Sequence, residues 1–205
     1  MIVEFLGVSG VGKTTFAGKY KADLERVGTK VLWPAEGLYT KYGWFSRNFR
    51  KALVVVHFTA GHLHWVLAYR RFVLQETESS TETRKLLFNG IYLKSLLSNV
   101  KNDHQIYLFD EGVLQHYWAL KLRSGKEVFS EQLTQLLSFF RWPDQVISVE
   151  ADAKTIEGRI RVRGEYVRIM DNGDLIDTIM KMQHVQEDII RCVQNKVVIH
   201  RVNNA

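Results

Sequence analysis

Short apolar runs set between longer stretches of helical periodicity lay out this chain. Ile2 to Leu6, Val31 to Trp33, Gln105 to Phe109, Val146 to Val149 and Lys196 to Val202 are brief and predominantly apolar, which predicts five strands. Apolar residues recur at helical spacing in Phe16 to Leu24, in most of 43 to 101, in Val113 to Arg123, in Glu131 to Phe140, around Ile156 and Ile160, and in Asp174 to Gln194. Pro34 ends the second strand, because it cannot donate to a ladder. The polar break Glu76 to Glu82 starts a new helix near Thr81, and Asp152 is placed to cap the helix of Ile156 and Ile160. Strands alternating with helices predict an α/β fold, a three-layer sandwich with a parallel sheet covered on both faces.

Periodicity also predicts which faces are buried. Leu86, Leu87, Ile91, Leu93, Leu96, Leu97 and Val100 read as one core face. Leu175, Ile176, Ile179, Met180, Val185, Ile189, Ile190 and Val193 read as another. The apolar stretch Ala52 to Tyr69, flanked by Arg50-Lys51 and Arg70-Arg71, is about long enough to span a bilayer. His57, Thr59, Gly61, His62 and His64 interrupt it, so a buried helix broken near Gly61 is the expectation, with membrane association through residues 50–71 left open. His62 and His64 have no acidic or cysteine partner at ligand spacing.

Composition narrows the classes modestly. At 205 residues the chain reads as a single domain, 1–205. Lys plus Arg is 28 against 22 for Asp plus Glu, a net +6 that suits anionic ligands, but no basic run suggests a nucleic-acid arm. The single Cys192 excludes an internal disulfide and is expected to be buried and inert. With residues 2–6 read as a strand there is no signal peptide to see, and a cytoplasmic protein is the expectation. Oligomeric state is not readable from the sequence.

Candidate chemistry begins directly after the first strand. Gly7, Gly12, Lys13 and Thr14 match G-x-x-x-x-G-K-[ST], the phosphate-binding or Walker A loop, between a strand and a helix. Such a loop aims backbone N–H groups and a helix N-terminus at phosphate oxygens. Ser9, Gly10, Val11, Gly12, Lys13, Thr14 and Thr15 are therefore the nucleotide-binding candidates. Lys13 would reach the β- and γ-phosphates and Thr14 would ligate magnesium. Asp110, at the end of the third strand, is the carboxylate that would complete the magnesium site, and Glu111 follows it. Glu36 falls just beyond strand 2, where ligands of open parallel sheets sit, although a solvated loop carboxylate fits equally well. Arg159 and Arg163 share a helix face ahead of the polar segment 164–173, the pattern of a lid over phosphates. A GTPase is disfavoured, since Val113 and Val198 stand where its glycine and aspartate would be.

These pieces in this order resemble the P-loop nucleoside and nucleotide kinases, most nearly the thymidylate-kinase-like branch. The resemblance is specific at residues 7–15 and suggestive at 110–112 and 159–164. It implies a five-stranded sheet in the order 2-3-1-4-5, ATP and Mg²⁺, a lid over the phosphates and an acceptor site between strand ends 2 and 3; on this chain the helical acceptor region is expected at about 38–103 and the lid at about 159–173. Glu36 would match a carboxylate that family members often carry at the end of strand 2. Thymidylate kinases usually have Asp-Arg after strand 3; here Glu111-Gly112 follows Asp110, so that arginine is absent. They also continue past strand 5 with a segment flanking adenine, and here little chain remains. The expected function is ATP-dependent phosphoryl transfer to a small acceptor: a nucleotide, a nucleoside or another hydroxylated metabolite. Lys13, Arg159 and Arg163 would serve the phosphates, while Glu36, Asp110 or Glu111 would orient or deprotonate the acceptor. Trp33, Tyr39, Tyr42, Trp44 and Phe45 could stack on it or pack in the core. The alternatives are a nucleotide-binding regulatory or interaction protein with little turnover, and a membrane-associated kinase with a lipid-linked acceptor.

Overall fold

A computed structural model describes residues 1–36, 44–77, 79–101, 104–124, 127–128, 130–163 and 174–204; of Trp44, Ser130 and Arg163 it describes the backbone alone. Five strands form one parallel sheet in the order β2-β3-β1-β4-β5. They are β1 Ile2–Leu6, β2 Val31–Leu32, β3 Ile106–Phe109, β4 Gln145–Glu150 and β5 Val198–Asn203. β1 lies at the centre, with Val3 paired to Leu108 of β3 and to Gln145 of β4. Every residue of β1 is buried, as an interior strand with both faces covered must be.

Among the described residues the helices are α1 Lys13–Arg26, α2 Trp44–Gly61, α3 Leu63–Glu76, α4 Ser80–Ser98, α5 Val113–Ser124, α6 Ser130–Ser138, α7 Ala153–Arg163 and α8 Leu175–Val193. Alternation along β1 sends neighbours to opposite faces. Phe5 meets Phe16 and Tyr20 of α1 edge-on, with ring centroids 6.1 and 5.9 Å away. Glu4 turns the other way, to the N-terminus of α5. Burying a side chain such as Phe5 contributes about 2 kcal/mol. The Trp118 indole of α5 donates to the Met182 carbonyl at 2.9 Å and locks α5 to α8.

Several boundaries differ from the sequence expectation. α6 ends at Ser138, before Phe139 and Phe140, whose N–H groups bond to Leu136 and Leu137 in a tightened last turn. Strand β5 starts at Val198, because the N–H groups of Lys196 and Val197 return to the Val193 carbonyl at the end of α8. Met180 is exposed, while Met182 and Gln186 take core positions on α8. Cys192 is half-buried, and what burial it has raises its thiol pKa. Asp152 does cap α7, its Oδ1 accepting from the Thr155 N–H at 2.9 Å.

The largest correction concerns 52–69. The helix does break beside Gly61, at His62, where α2 turns by 110° into α3. It is not a buried helix, however. Phe58 is buried, while Phe45, Phe49, Leu53 and Val56 are exposed. On α3, Tyr69, Phe72 and Val73 are buried, whereas Leu63, Leu67 and Leu74 are exposed. A continuous apolar run cannot say which of its faces finds a partner; here each helix buries one side and leaves the other apolar side outside.

Candidate active site

The loop after β1 folds as its glycines permit. Gly12 is the N-cap of α1 at φ 97°, a left-handed conformation that costs an L-residue about 1–2 kcal/mol. Two side chains from distant parts of the chain brace it from outside. The Arg159 guanidinium donates to the Val11 carbonyl at 3.0 Å and to the Asn204 carbonyl at 2.9 Å. The Asn204 amide donates to the same Val11 carbonyl at 2.8 Å. Arg159 thus stands against the back of the loop and the end of β5. Arg163 lies outside the described side chains, and 164–173 lies outside the described residues.

At the mouth of the loop, Lys13 Nζ donates to the Gly7 and Val8 carbonyls at 2.6 and 3.2 Å. Thr14 Oγ1 donates to Asp110 Oδ2 at 3.3 Å, and the Trp33 indole donates to Asp110 Oδ1 at 3.1 Å. Parallel pairing of β3 beside β1 is what carries Asp110 to Thr14, 96 positions earlier in sequence. Asp110 is only 3 % exposed. Burial raises its pKa, and the neighbouring Glu111 adds to the shift. A cation here would relieve both effects. Among the described residues no cluster of His, Cys, Asp or Glu could hold a metal by itself. One hydroxyl and one carboxylate facing a phosphate-binding loop do fit magnesium, which takes its remaining ligands from phosphate and water.

Beyond Asp110 opens a cavity of about 230 Å³. Lys13 and Ser9 line the end next to the loop. Lys51 of α2, Leu86, Asn89 and Tyr92 of α4, Glu111, and His116 and Arg123 of α5 form much of the rest. The α4 face read as pure core therefore does two things, since Leu86, Leu93 and Leu96 also line this space. Lys51 Nζ sits 5.0 Å above the Tyr92 ring. Burial lowers the Lys51 pKa, Glu111 and Asp110 pull it back up, and Arg47 lowers it further. Tyr92 is pushed up to about 12 by burial, with Glu111 and Asp110 adding to it. Arg123 is held by Glu82 at 2.9 Å. His116 is buried and held down at about 4, chiefly by that burial, and its Nε2 shares a hydrogen bond with the Tyr69 hydroxyl at 2.5 Å.

Glu36 is not among the residues lining this cavity. It pairs with Lys21 at 2.6 Å and is partly exposed. Trp33 serves as a donor to Asp110, and Phe45 is exposed. Tyr39 and Tyr42 lie outside the described residues. Three features at or beside the candidate site were missed in the sequence. Lys51 was hidden within a helix read for its apolar residues. The Asn204 brace joins the chain's end to its first loop. The third is Glu4, 1 % exposed in the middle of β1. Its two carboxyl oxygens accept from the Val113 and Gln115 N–H groups at 2.9 and 2.8 Å, capping α5 immediately after Glu111. That cap also accounts for Gly112, where any Cβ would overlap the Glu4 carboxylate. A charged residue inside an otherwise apolar strand was the available signal.

No family model matches the sequence, and a search of curated proteins finds no match. Solved structures do match. A deoxyadenosine kinase from M. mycoides, with products dCMP and a flexible dCDP bound, superposes with a TM-score of 0.58 at 14% identity, over 98% of this chain and 90% of that one. This chain has the fold of the nucleoside and nucleotide kinases. A thymidylate kinase from Ehrlichia chaffeensis is similar at a TM-score of 0.55 and 12% identity, over 100% of this chain and 87% of that one. A second structure of the M. mycoides deoxyadenosine kinase, with dCTP bound, gives 0.51 at 15% identity, over 99% and 90%. The strand order 2-3-1-4-5 is the one implied by the resemblance noted above.

Proposed function

We propose that this protein is an ATP-dependent phosphotransferase acting on a small hydroxylated acceptor. The observation that carries the reading is the convergence of Lys13, Thr14 and Asp110 at one end of a cavity whose other walls come from α2, α4 and α5. The loop N–H groups and Lys13 would hold the β- and γ-phosphates of ATP. Thr14 and Asp110 would hold magnesium, which when bound supplies positive charge against the phosphate oxygens. The acceptor hydroxyl would attack the γ-phosphorus as the bond to the bridging oxygen breaks, releasing ADP. Glu111 is the proposed acceptor of the hydroxyl proton. Glu36 is held by Lys21 away from the cavity lining, and the two oxygens of Asp110 face Thr14 and Trp33. Lys51 would supply the positive charge that the absent arginine after Asp110 provides in the resembled family. Arg159 would position the loop through Val11, leaving Arg163 as the lid arginine for the moving phosphoryl group. Positioning and charge would account for most of the rate.

The deoxyadenosine kinase structures hold deoxycytidine nucleotides, which puts nucleosides and nucleotides first among acceptors to try. The second reading, a regulatory nucleotide binder with little turnover, draws on Glu111 beside Asp110, an arrangement that weakens a phosphate-bearing acceptor. ADP release across a panel of nucleosides, monophosphates and sugars separates the two. Acceptor-dependent release that Lys13→Ala abolishes while its thermal midpoint is retained supports the kinase. Tight ATP binding without turnover on any acceptor supports the regulator.

A further inference from the structure

We propose that the outer faces of α2 and α3 form a docking surface for an anionic membrane, an assignment independent of the kinase reading. Phe45, Phe49, Leu53 and Val56 follow one another at spacings of four, four and three, so they form a single stripe along α2. Leu63, Leu67 and Leu74 form a stripe along α3 in the same way. All seven are between 45% and 77% exposed. The inner faces are already used: Lys51 of α2 lines the cavity, and Phe58 of α2 and Tyr69, Phe72 and Val73 of α3 are buried. A helix bordering water needs one apolar face, and these two carry a second.

Charge selects the occupant. No Asp or Glu occurs from Trp44 to Gln75, while Arg47, Arg50, Lys51, Arg70 and Arg71 do. Arg50, Arg70 and Arg71 are exposed alongside the stripes, with Arg70 and Arg71 lying between Leu67 and Leu74. Two copies meeting through this face would oppose like charges. A nucleic acid would find the arginines but gain nothing from seven aliphatic and aromatic side chains. An anionic bilayer satisfies both, taking the apolar side chains into its headgroup boundary while lipid phosphates and carboxylates meet the arginines. Among the described residues no single helix is long and apolar enough to cross a membrane, and the pair is bent by 110°; with Phe58, Tyr69, Phe72 and Val73 already buried against the protein, the two helices under this proposal lie on the membrane surface. Docking would also hold the α2 wall of the cavity against the lipid.

Co-sedimentation with phosphatidylcholine vesicles, with and without phosphatidylserine, tests this. The full chain is expected to bind the phosphatidylserine vesicles and not the others, with binding weakened by salt. Removing Arg70 or Arg71 as Arg→Ala should weaken partition about fivefold each. The pair Phe49→Ser and Leu53→Ser should weaken it at least about tenfold. These side chains are exposed, so the thermal midpoint should not move. Absence of binding to either vesicle overturns the proposal, as does equal binding to both or unchanged binding by the variants. So does a dimer in sedimentation equilibrium that Phe49→Ser with Leu53→Ser dissociates, since the second copy would then be the occupant.

Discussion

Replacing Gly12 by alanine tests whether the chain's end tunes its phosphate loop. At φ 97° the alanine incurs about 1–2 kcal/mol of backbone strain. Its Cβ would also lie 2.5 Å from Asn204 Nδ2, forcing that amide away and breaking its 2.8 Å bond to the Val11 carbonyl. A hydrogen bond of this kind contributes about 1 kcal/mol. The loop would relax to an unstrained conformer and would have to be restored on binding, so the sum of about 2–3 kcal/mol appears in affinity. Calorimetric titration with a non-hydrolysable ATP analogue and magnesium should show Kd weakened about 30- to 150-fold. Asn204→Ala alone loses only the bond, about fivefold. In the double variant the bond is already gone, so Gly12→Ala adds only its backbone strain. The double-mutant cycle should therefore show about 1 kcal/mol of coupling between residues at opposite ends of the chain. An unchanged Kd for Gly12→Ala, or strictly additive losses, would refute the reasoning.

Lys51→Met should raise KM for the acceptor about tenfold or more while leaving the Kd of the ATP analogue unchanged, because a bond from a charged group contributes about 1.5–3 kcal/mol and Lys51 lines the cavity proposed for the acceptor; steady-state kinetics beside a nucleotide titration reads both. Burial pushes Glu4 from 4.5 up to about 8, so between those values the folded chain keeps a proton that the unfolded chain releases. Stability from this group is therefore present at low pH and lost as pH rises through about 8, at up to about 1.4 kcal/mol per pH unit; urea unfolding of Glu4→Gln should be flatter with pH than that of the native chain. Lys121 is buried, bonded to Glu76 at 3.2 Å and to Gln132. Lys121→Met should cost about 3–5 kcal/mol by leaving Glu76 buried without its cation, and lower the calorimetric Tm by about 10 °C.

Much of the candidate site around the loop was legible because it is local. Gly7 to Thr15 is a contiguous motif whose backbone geometry follows from its own glycines and the helix it opens. Asp110 was legible because an apolar run ending in an acid is a short-range pattern, and one strand pairing then carries it to Thr14. Glu36 was legible only as a position, and its pairing with Lys21 depends on how α1 lies beside the turn after β2. The rest of the cavity depends on packing between segments far apart, as when Lys51 of α2 and Glu111 after β3 come to line the same space.

By itself, then, the sequence determined five strands, the helices between them and a glycine-rich loop of the phosphate-binding pattern, since periodicity and turn chemistry are written over a few residues at a time. The tertiary structure decided that Glu4 caps α5 and explains Gly112, that Asn204 and Arg159 brace Val11, and that apolar side chains along α2 and α3 are exposed. Each of these depends on the partner a side chain meets once the sheet is assembled. Hydrophobic spacing states that a face is apolar, but what covers that face is settled only by the elements folding brings against it.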